Sequence, residues 1–463
     1  MSRIEELERE NAQQRQLIEK LRERILELER VIEELRRSGK RQAAPFSKGQ
    51  PARNPRTPGR KAGKHYGRRK ARPVPSRVDE THEAPLPCRC PECGASDVRR
   101  EGVEDQYQTD LPEPRVVVRR FRVHVGECRQ CGSRVQGRHP LQTSDALGAA
   151  ANQIGPRAVS LGAQMNKELG LSWEKVAGIL TTLGLEVSRS GLCRAAERLG
   201  QKAAPTYEKL KGSIPWAAVV TPDETGWRVG GMPAWLWAFV TEDVTLYAIR
   251  EGRGWDEAAD VLGEDFPGVL VRDGWAAYRR FVEATHQSCL AHLLCRCEEL
   301  EESTSRTVAE FAGSVKRSFE KGFWLREQWE KGTISYHGLQ VARGRLEASL
   351  DRLLQEESRQ PDKRRFAKHL RREQPALFTF LRLPGVPATN WRAEQAIRPA
   401  VVNRKVWGGN RTWSGARTQE VLSTVIRTHR QQGRDPLAGL IDLLHSPRRK
   451  VLRLVPPVHA PPS

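Results

Sequence analysis

From Pro215 onward the chain follows an order of elements that few architectures can accommodate. Short apolar runs at 216–221, 234–241 and 244–250 predict three consecutive strands, antiparallel to one another. A helical spacing from Trp255 to Leu262 follows, then a strand at 268–272 and a helix beginning near Trp275. Asp223 stands at the end of the first strand and Asp273 at the end of the fourth. Strand ends on one edge of a sheet are where an α/β fold gathers a ligand site. Pro222, which lacks a ladder donor, is expected to end or bulge the first strand. Residues 291–382 read as mostly helical and highly charged, an insertion rather than part of the sheet. A further helix is expected from about Trp391, then a Gly/Trp-rich loop and a helix at 416–432.

Three strands, a helix and a further strand is the order of an RNase H-like core. The expected fold class is therefore multidomain α+β. It comprises an N-terminal coiled coil, a zinc ribbon, a small helix-turn-helix-like domain and an RNase H-like α/β core with a helical insertion. The expected boundaries are 1–36 for the coiled coil, 37–80 for a basic disordered linker, 81–140 for the ribbon and 141–212 for the helical region. The core then occupies 213–297 and 388–432 around the insertion at 298–387, with a C-terminal tail at 433–463.

The opening segment is a heptad repeat. Ile4, Asn11, Ile18, Ile25 and Ile32 fall at a, and Leu7, Gln14, Leu21, Leu28 and Leu35 at d. Ile at a with Leu at d favours a parallel two-stranded coil, and a buried Asn at a sets its register, so a homodimer is expected. In that dimer Arg3 would face Glu8, Glu10 would face Arg15, and Arg24 would face Glu29. Residues 36–77 then hold fifteen Lys and Arg and no acid, among them Arg60, Lys61, Arg68, Arg69 and Lys70. Such a stretch cannot bury a core and suits phosphate tracking without base reading.

Two pairs, Cys90-x-x-Cys93 and Cys128-x-x-Cys131, supply four thiolates of the kind that hold tetrahedral Zn²⁺, each followed by a Gly that permits a tight turn. Val116 to Val125 between them reads as a strand. Beyond the ribbon, Pro156 suits a first helical position and Gly170 a stop, while Ser172 and Ser188 are candidate caps for two further helices. That is a helix-turn-helix pattern, which any small helical bundle would also show.

The formal net charge of +21 favours a polyanionic partner, and no apolar run approaches the length of a bilayer span. The charged N-terminus does not resemble a secretory signal, and close Cys pairs suit a reducing compartment. A cytoplasmic protein without membrane partners is expected. Two strand-end carboxylates, joined by a third from a following helix, would make a hard oxygen site for Mg²⁺ or Mn²⁺. Cys289, His292, Cys295 and Cys297 could pass for a second zinc site, but a helix from Leu290 would keep all four from converging. Packing is the better reading there, with His292 near nucleic acid.

Several motifs in order carry a resemblance to the insertion sequence 66 family of transposases. They are Asp223-Glu224-Thr225, Asp273-Gly274-Trp275-x-x-Tyr278, Cys289-x-x-His292 and Asn390-x-x-x-Glu394-x-x-x-Arg398, continued by Arg404-Lys405, Gly415-Ala416 and Ser423-x-x-x-Arg427-Thr428. Ala44-Pro45-Phe46-Ser47 and Pro58-Gly59-Arg60-Lys61 in the linker, the heptads and the cysteine pairs extend it over nearly the whole chain. The resemblance implies a DDE transposase that cleaves element ends and joins them to target DNA. Asp223 would be the first acid, Asp273 the second and Glu394 the third. Glu224, on the opposite face of the strand from Asp223, is the less favoured ligand. Double-stranded DNA, both element ends and target, is the implied partner, with room for accessory transposition proteins. Arg398, one turn beyond Glu394, could meet a phosphate or orient the glutamate, and Arg404 and Lys405 join the basic set. Trp391, Trp407 and Trp413 are expected mainly to pack. A non-catalytic zinc-ribbon regulator, a retired transposase and a nuclease without strand transfer are the competing readings.

Overall fold

The computed structural model describes residues 14–21, 23–24, 27, 72–96, 98–113 and 115–455. They divide into two units, one ending at Glu113 and the other beginning at Pro114. In the first unit residues 14–21, 23, 24 and 27 are helical. Ile18 and Leu21, assigned to a and d, are exposed. The remaining heptad positions and the basic residues Arg60, Lys61, Arg68, Arg69 and Lys70 lie outside the described residues.

The second unit opens on a hairpin, β1 (Val125–Glu127) and β2 (Arg134–Gln136), paired antiparallel around the second Cys pair. The strand expected over Val116–Val125 is therefore confined to its last residue and the two beyond it. Residues 116–118 are exposed, with no partner strand to hold them extended.

Three helices follow, α1 (Pro156–Lys167), α2 (Trp173–Thr182) and α3 (Arg189–Ser213). Pro156 starts the first, and the Ser172 and Ser188 hydroxyls accept from the Lys175 and Gly191 N–H groups as expected of N-caps. The third helix is much longer than the sequence pattern indicates and continues through Pro205. Its Leu199, Ala203, Tyr207 and Leu210 share one core with Trp237, Phe239 and Leu246 of the sheet. The helical region is thus continuous with the α/β core, not a separate module joined at 212.

The sheet contains β3 (Val219–Val229), β4 (Met232–Val240), β5 (Thr245–Arg250), β6 (Val269–Arg272) and β7 (Thr285–Ser288) in the order β5-β4-β3-β6-β7. β3 to β5 form an antiparallel meander, while β6 and β7 add in parallel after helix α4 (Trp255–Leu262). Two expectations change here. Trp216 belongs to a 3₁₀ turn, and β3 runs on through Pro222, placing Asp223 inside the strand. The pairing of β3 with β6 covers only Val219 and Val220, so β3 has a single strand neighbour where Pro222 lacks its donor. The segment after Trp275 is a 3₁₀ turn, Ala276–Arg280, not an α-helix.

The insertion comprises α5 (Leu290–Glu301), α6 (Arg306–Glu330), α7 (Tyr336–Gln355), α8 (Pro361–Glu373) and the short α9 (Thr379–Arg382). Its core around Phe311, Phe319, Leu350 and Phe366 takes in Val269 and Val271 of β6. The chain returns to the sheet as α10 (Trp391–Trp407) and α11 (Trp413–Gln431). Between them Gly409, at φ +116, passes so close to the Arg228 carbonyl that a Cβ would fall 2.4 Å from it. Asn410 then bonds back to β3 through Arg228 O and Gly230 N at 2.9 Å each.

α11 covers the outer edge of β5. The Glu420 carboxylate and the Thr424 and Thr428 hydroxyls accept from the N–H groups of Ile249, Tyr247 and Thr245 at 2.8, 2.9 and 3.3 Å. Side chains four apart on a helix match alternate residues of a strand, so an edge that would invite another chain is closed. The expected tail also forms structure: Asp435 caps α12 (Pro436–His445), whose Leu440, Leu443 and Leu444 join the main core. Among the described residues no helix is long and apolar enough to cross a membrane.

Candidate active site

Asp223 projects from β3, Asp273 directly follows β6, and Glu394 lies in the first turn of α10. The Asp223 carboxylate accepts from its neighbour's backbone, Glu224 N, at 3.0 Å, and Asp273 accepts from Trp275 N at 2.8 Å. Burial raises the Asp223 carboxyl to about 7; the charge of Glu224 adds to this, as do those of Asp273 and Glu394, against the Glu224 N–H bond. The three acids therefore occupy one electrostatic neighbourhood. Mutually repelling carboxylate oxygens make a hard donor set, which a divalent cation fits.

Glu224, adjacent in sequence, is engaged elsewhere. Its buried carboxylate bonds the Tyr278 hydroxyl and, at 2.7 Å, the Arg253 guanidinium. That guanidinium lies 3.9 Å from the Trp275 ring centroid and 4.8 Å from that of Trp235. Glu224 thus ties β3 to the turn after Asp273, with each of its oxygens already in a hydrogen bond.

The Cys289-x-x-His292 segment organises the third acid. Cys289 Sγ accepts from Asn390 N at 3.3 Å, and Leu290 N donates to Ala388 O at 3.0 Å, which fixes the start of α10. His292 Nε2 stands 3.8 Å from Glu394 Oε1. The His292 ring is raised to about 9, first by its hydrogen bond with Cys289 and, against burial, by the charges of Cys289, Glu394 and Asp273. Cys289, His292 and Glu394 offer ligand atoms within 4.8 Å of one another. Cys295 and Cys297 stay out of this group, one exposed and the other packed in the insertion core.

A second brace supports Asp273. Arg272, its chain neighbour, pairs with Glu373 of α8 at 2.7 Å, both side chains nearly inaccessible. Ser288 donates to the same carboxylate at 2.8 Å, and Arg279 approaches it at 3.3 Å. Burial pushes the Glu373 carboxyl up, but Arg272 and these hydrogen bonds outweigh it and hold the group below its ordinary value. No local motif marks this contact, because Arg272 and Glu373 are 101 residues apart in sequence.

The remaining expected residues divide. Arg398 is exposed, as is Lys405, and neither has an ion-pair partner among the described residues. Arg404 is held inside, bonded to Gly226 O and to Thr225 Oγ1 at 3.4 Å, so it supports β3 instead of presenting a free charge. Trp407 packs edge-on against Trp227, but Trp391 and Trp413 are exposed at 61% and 46%, against the expectation of packing.

Each cysteine pair forms a tight knuckle. Gly94 N donates to Cys90 O and Cys90 N to Ala95 O; Gly132 N donates to Cys128 O and Cys128 N to Ser133 O, all at 2.8–2.9 Å. Gly94 and Gly132 take φ of 77 and 67. Backbone bonds from Cys93 and Glu92 lower the Cys90 thiol below its ordinary value, and bonds from Ser133 lower that of Cys131. Cys88 is exposed and outside this pattern.

A mixed sheet that gathers carboxylates where its central strands part defines an α/β protein with an acidic centre. The family described as "Transposase IS66 family" matches residues 153–418, a span that contains all three acids, and the chain belongs to that family. The chain is also 26% identical over 313 residues to "Uncharacterized protein y4qI" of Sinorhizobium fredii (strain NBRC 101917 / NGR234), covering 59% of this chain. It spans about half, 56%, of that curated relative's length.

Proposed function

We propose that the protein is a DDE-type DNA transposase with an RNase H-like catalytic domain, and that Asp223, Asp273 and Glu394 are its metal-binding triad. One observation carries this reading: three acids at widely separated positions, from β3, the end of β6 and the first turn of α10, act on one another electrostatically. Bound Mg²⁺ or Mn²⁺ would supply activation of the attacking oxygen and neutralisation of the leaving one in phosphoryl transfer. The chain's own part is to hold the acids. Glu224 and Tyr278 fix β3 against the turn after Asp273, while Cys289 seats the helix that carries Glu394. His292 sits where it can restrain the Glu394 carboxylate.

Outside the core, the heptads provide a parallel homodimer, and the basic linker with Arg398 and Lys405 provides sequence-independent affinity for double-stranded DNA. Cys90, Cys93, Cys128 and Cys131 would provide thiolates for structural Zn²⁺, and hydrogen bonds already favour the thiolate at Cys90 and Cys131. The deciding experiment incubates the full chain with duplex carrying the ends of its encoding element, a target plasmid and Mg²⁺. Joined products support a transposase. Cutting without joining indicates a nuclease, and binding without cutting a regulator or a retired enzyme.

A further inference from the structure

A cleft of about 290 Å³ opens beside Asp273, with Cys289 and His292 on one wall and Arg365, Phe366 and His369 of α8 on the other. The contact is close: a methyl group at Gly274, next to Asp273, would lie 3.5 Å from the His369 ring. Phe366, Ala367 and Leu370 bury one face of α8 in the insertion core. The helix carries six cations between Pro361 and Glu373 against two acids. Lys363 is matched by Glu356 at 2.9 Å, Arg371 by Leu354 O at 2.9 Å, and Arg372 by His369 at 3.0 Å. Arg364, Arg365 and Lys368 are exposed and have no partner among the described residues.

Some cations elsewhere in the insertion are neutralised one turn away, as in Arg306–Glu310, Arg326–Glu330 and Arg343–Glu347. Arg317, Arg345, Arg352 and Arg359 also lack an acidic partner among the described residues, but none of them lines the cleft beside Asp273, whereas Arg365 of α8 does. The position of α8 is also fixed: Glu373 at its end pairs with Arg272, the residue before Asp273, in a buried brace.

We propose that α8 is a wall of the active-site cleft and binds phosphates of the DNA strand flanking the scissile bond, through Arg364, Arg365 and Lys368. Side chains three and four apart on a helix form one face, and a strand whose scissile phosphate lay at Asp273 would run along it. A phosphodiester backbone supplies repeated negative charge, which arginine forks and a lysine ammonium match without reading sequence. The insertion is then part of the catalytic surface, not an appendage. This inference rests on the reading of the site as a DNA phosphoryl-transfer centre.

The test combines a triple substitution, Arg364→Ala, Arg365→Ala and Lys368→Ala, with neutral methylphosphonates placed singly at phosphates flanking the cut. A control protein loses three exposed cations elsewhere, Lys209→Ala, Arg448→Ala and Arg449→Ala. Single-turnover cleavage with Mg²⁺ is the readout. In the wild type, at least one methylphosphonate should slow cleavage roughly 10-fold. The α8 variant should cut unmodified DNA slowly and lose nothing further at that same phosphate, while the control should behave as the wild type does. Arg365→Lys, with Arg364 and Lys368 retained, should keep most of the rate and the sensitivity. If the two changes simply multiply in the α8 variant, α8 does not contact those phosphates and the inference falls while the transposase reading stands. If the wild type cuts no DNA, both fall.

Discussion

Arg272 and Glu373 form an ion pair of 2.7 Å with side-chain exposures of 4% and 1%, joining the strand that ends at Asp273 to the last residue of α8. Removing one partner strands a charge where water cannot reach it. Glu373→Gln should cost about 3–5 kcal/mol in a urea melt. DNA cleavage should also drop in the fraction that remains folded, since Asp273 follows Arg272 directly. Retention of both full stability and full cleavage would remove this brace from the account.

The hydroxyl of Thr424 serves the edge strand in a comparable way. Tyr247 N donates to it at 2.9 Å in a fully buried contact. Thr424→Val keeps the shape and deletes the acceptor, so it should cost about 1–3 kcal/mol, whereas Thr424→Ser should cost less. Chemical denaturation of the two variants decides the matter.

Much of this was legible beforehand, and the failures have physical causes. Strands β4, β5 and β6 and helix α4 fall close to their apolar runs because their burial follows local periodicity. Strand β7 did not, because its Thr-His-Gln-Ser is polar; Gln287 and Ser288 are buried on partners near Leu377 and Glu373 that no local pattern discloses. Asp223 was expected at a strand end because Pro222 weakens a ladder, and the structure has no second ladder there. Glu394 was chosen from motif order alone, as what the family resemblance implies. Its neighbours His292 and Cys289 were visible as a motif, but their attachment to α10 was not.

The Asp223 carboxyl, raised to about 7 from 3.8, makes a prediction with a definite sign for the metal-free protein. A carboxyl raised on folding contributes stability that is complete below about pH 4 and lost as pH rises through about 7. Asp223→Asn removes that loss. The variant should match the wild type in thermal stability near pH 4 and exceed it by about 1–3 kcal/mol at pH 8. Equal melting curves at pH 8 would refute the shift. Mg²⁺ binding by the wild type should release protons below pH 7, measurable by calorimetry in two buffers.

The proposed zinc ligands make a direct prediction. Cys93→Ser and Cys131→Ser should each release about one zinc per chain and unfold the ribbon, because structural zinc supplies much of such a module's folding free energy. Cys88→Ser should leave the content unchanged. Elemental analysis of the intact protein showing no zinc would end this claim.

The central claim is that Asp223, Asp273 and Glu394 act as one metal-holding unit on DNA. Asp223→Asn, Asp273→Asn and Glu394→Gln each keep the side chain's shape and remove one anionic oxygen ligand. The direct measurement is cleavage of element-end duplex with Mg²⁺, read beside a binding titration of the same DNA. The account predicts that each variant loses cleavage by about two orders of magnitude or more, while DNA affinity holds or rises. Asp243→Asn and Asp265→Asn, acids of the same domain outside the site, should cut as the wild type does. Wild-type cleavage by the Glu394 variant would contradict the assignment of the third acid, and wild-type cleavage by all three would contradict the mechanism.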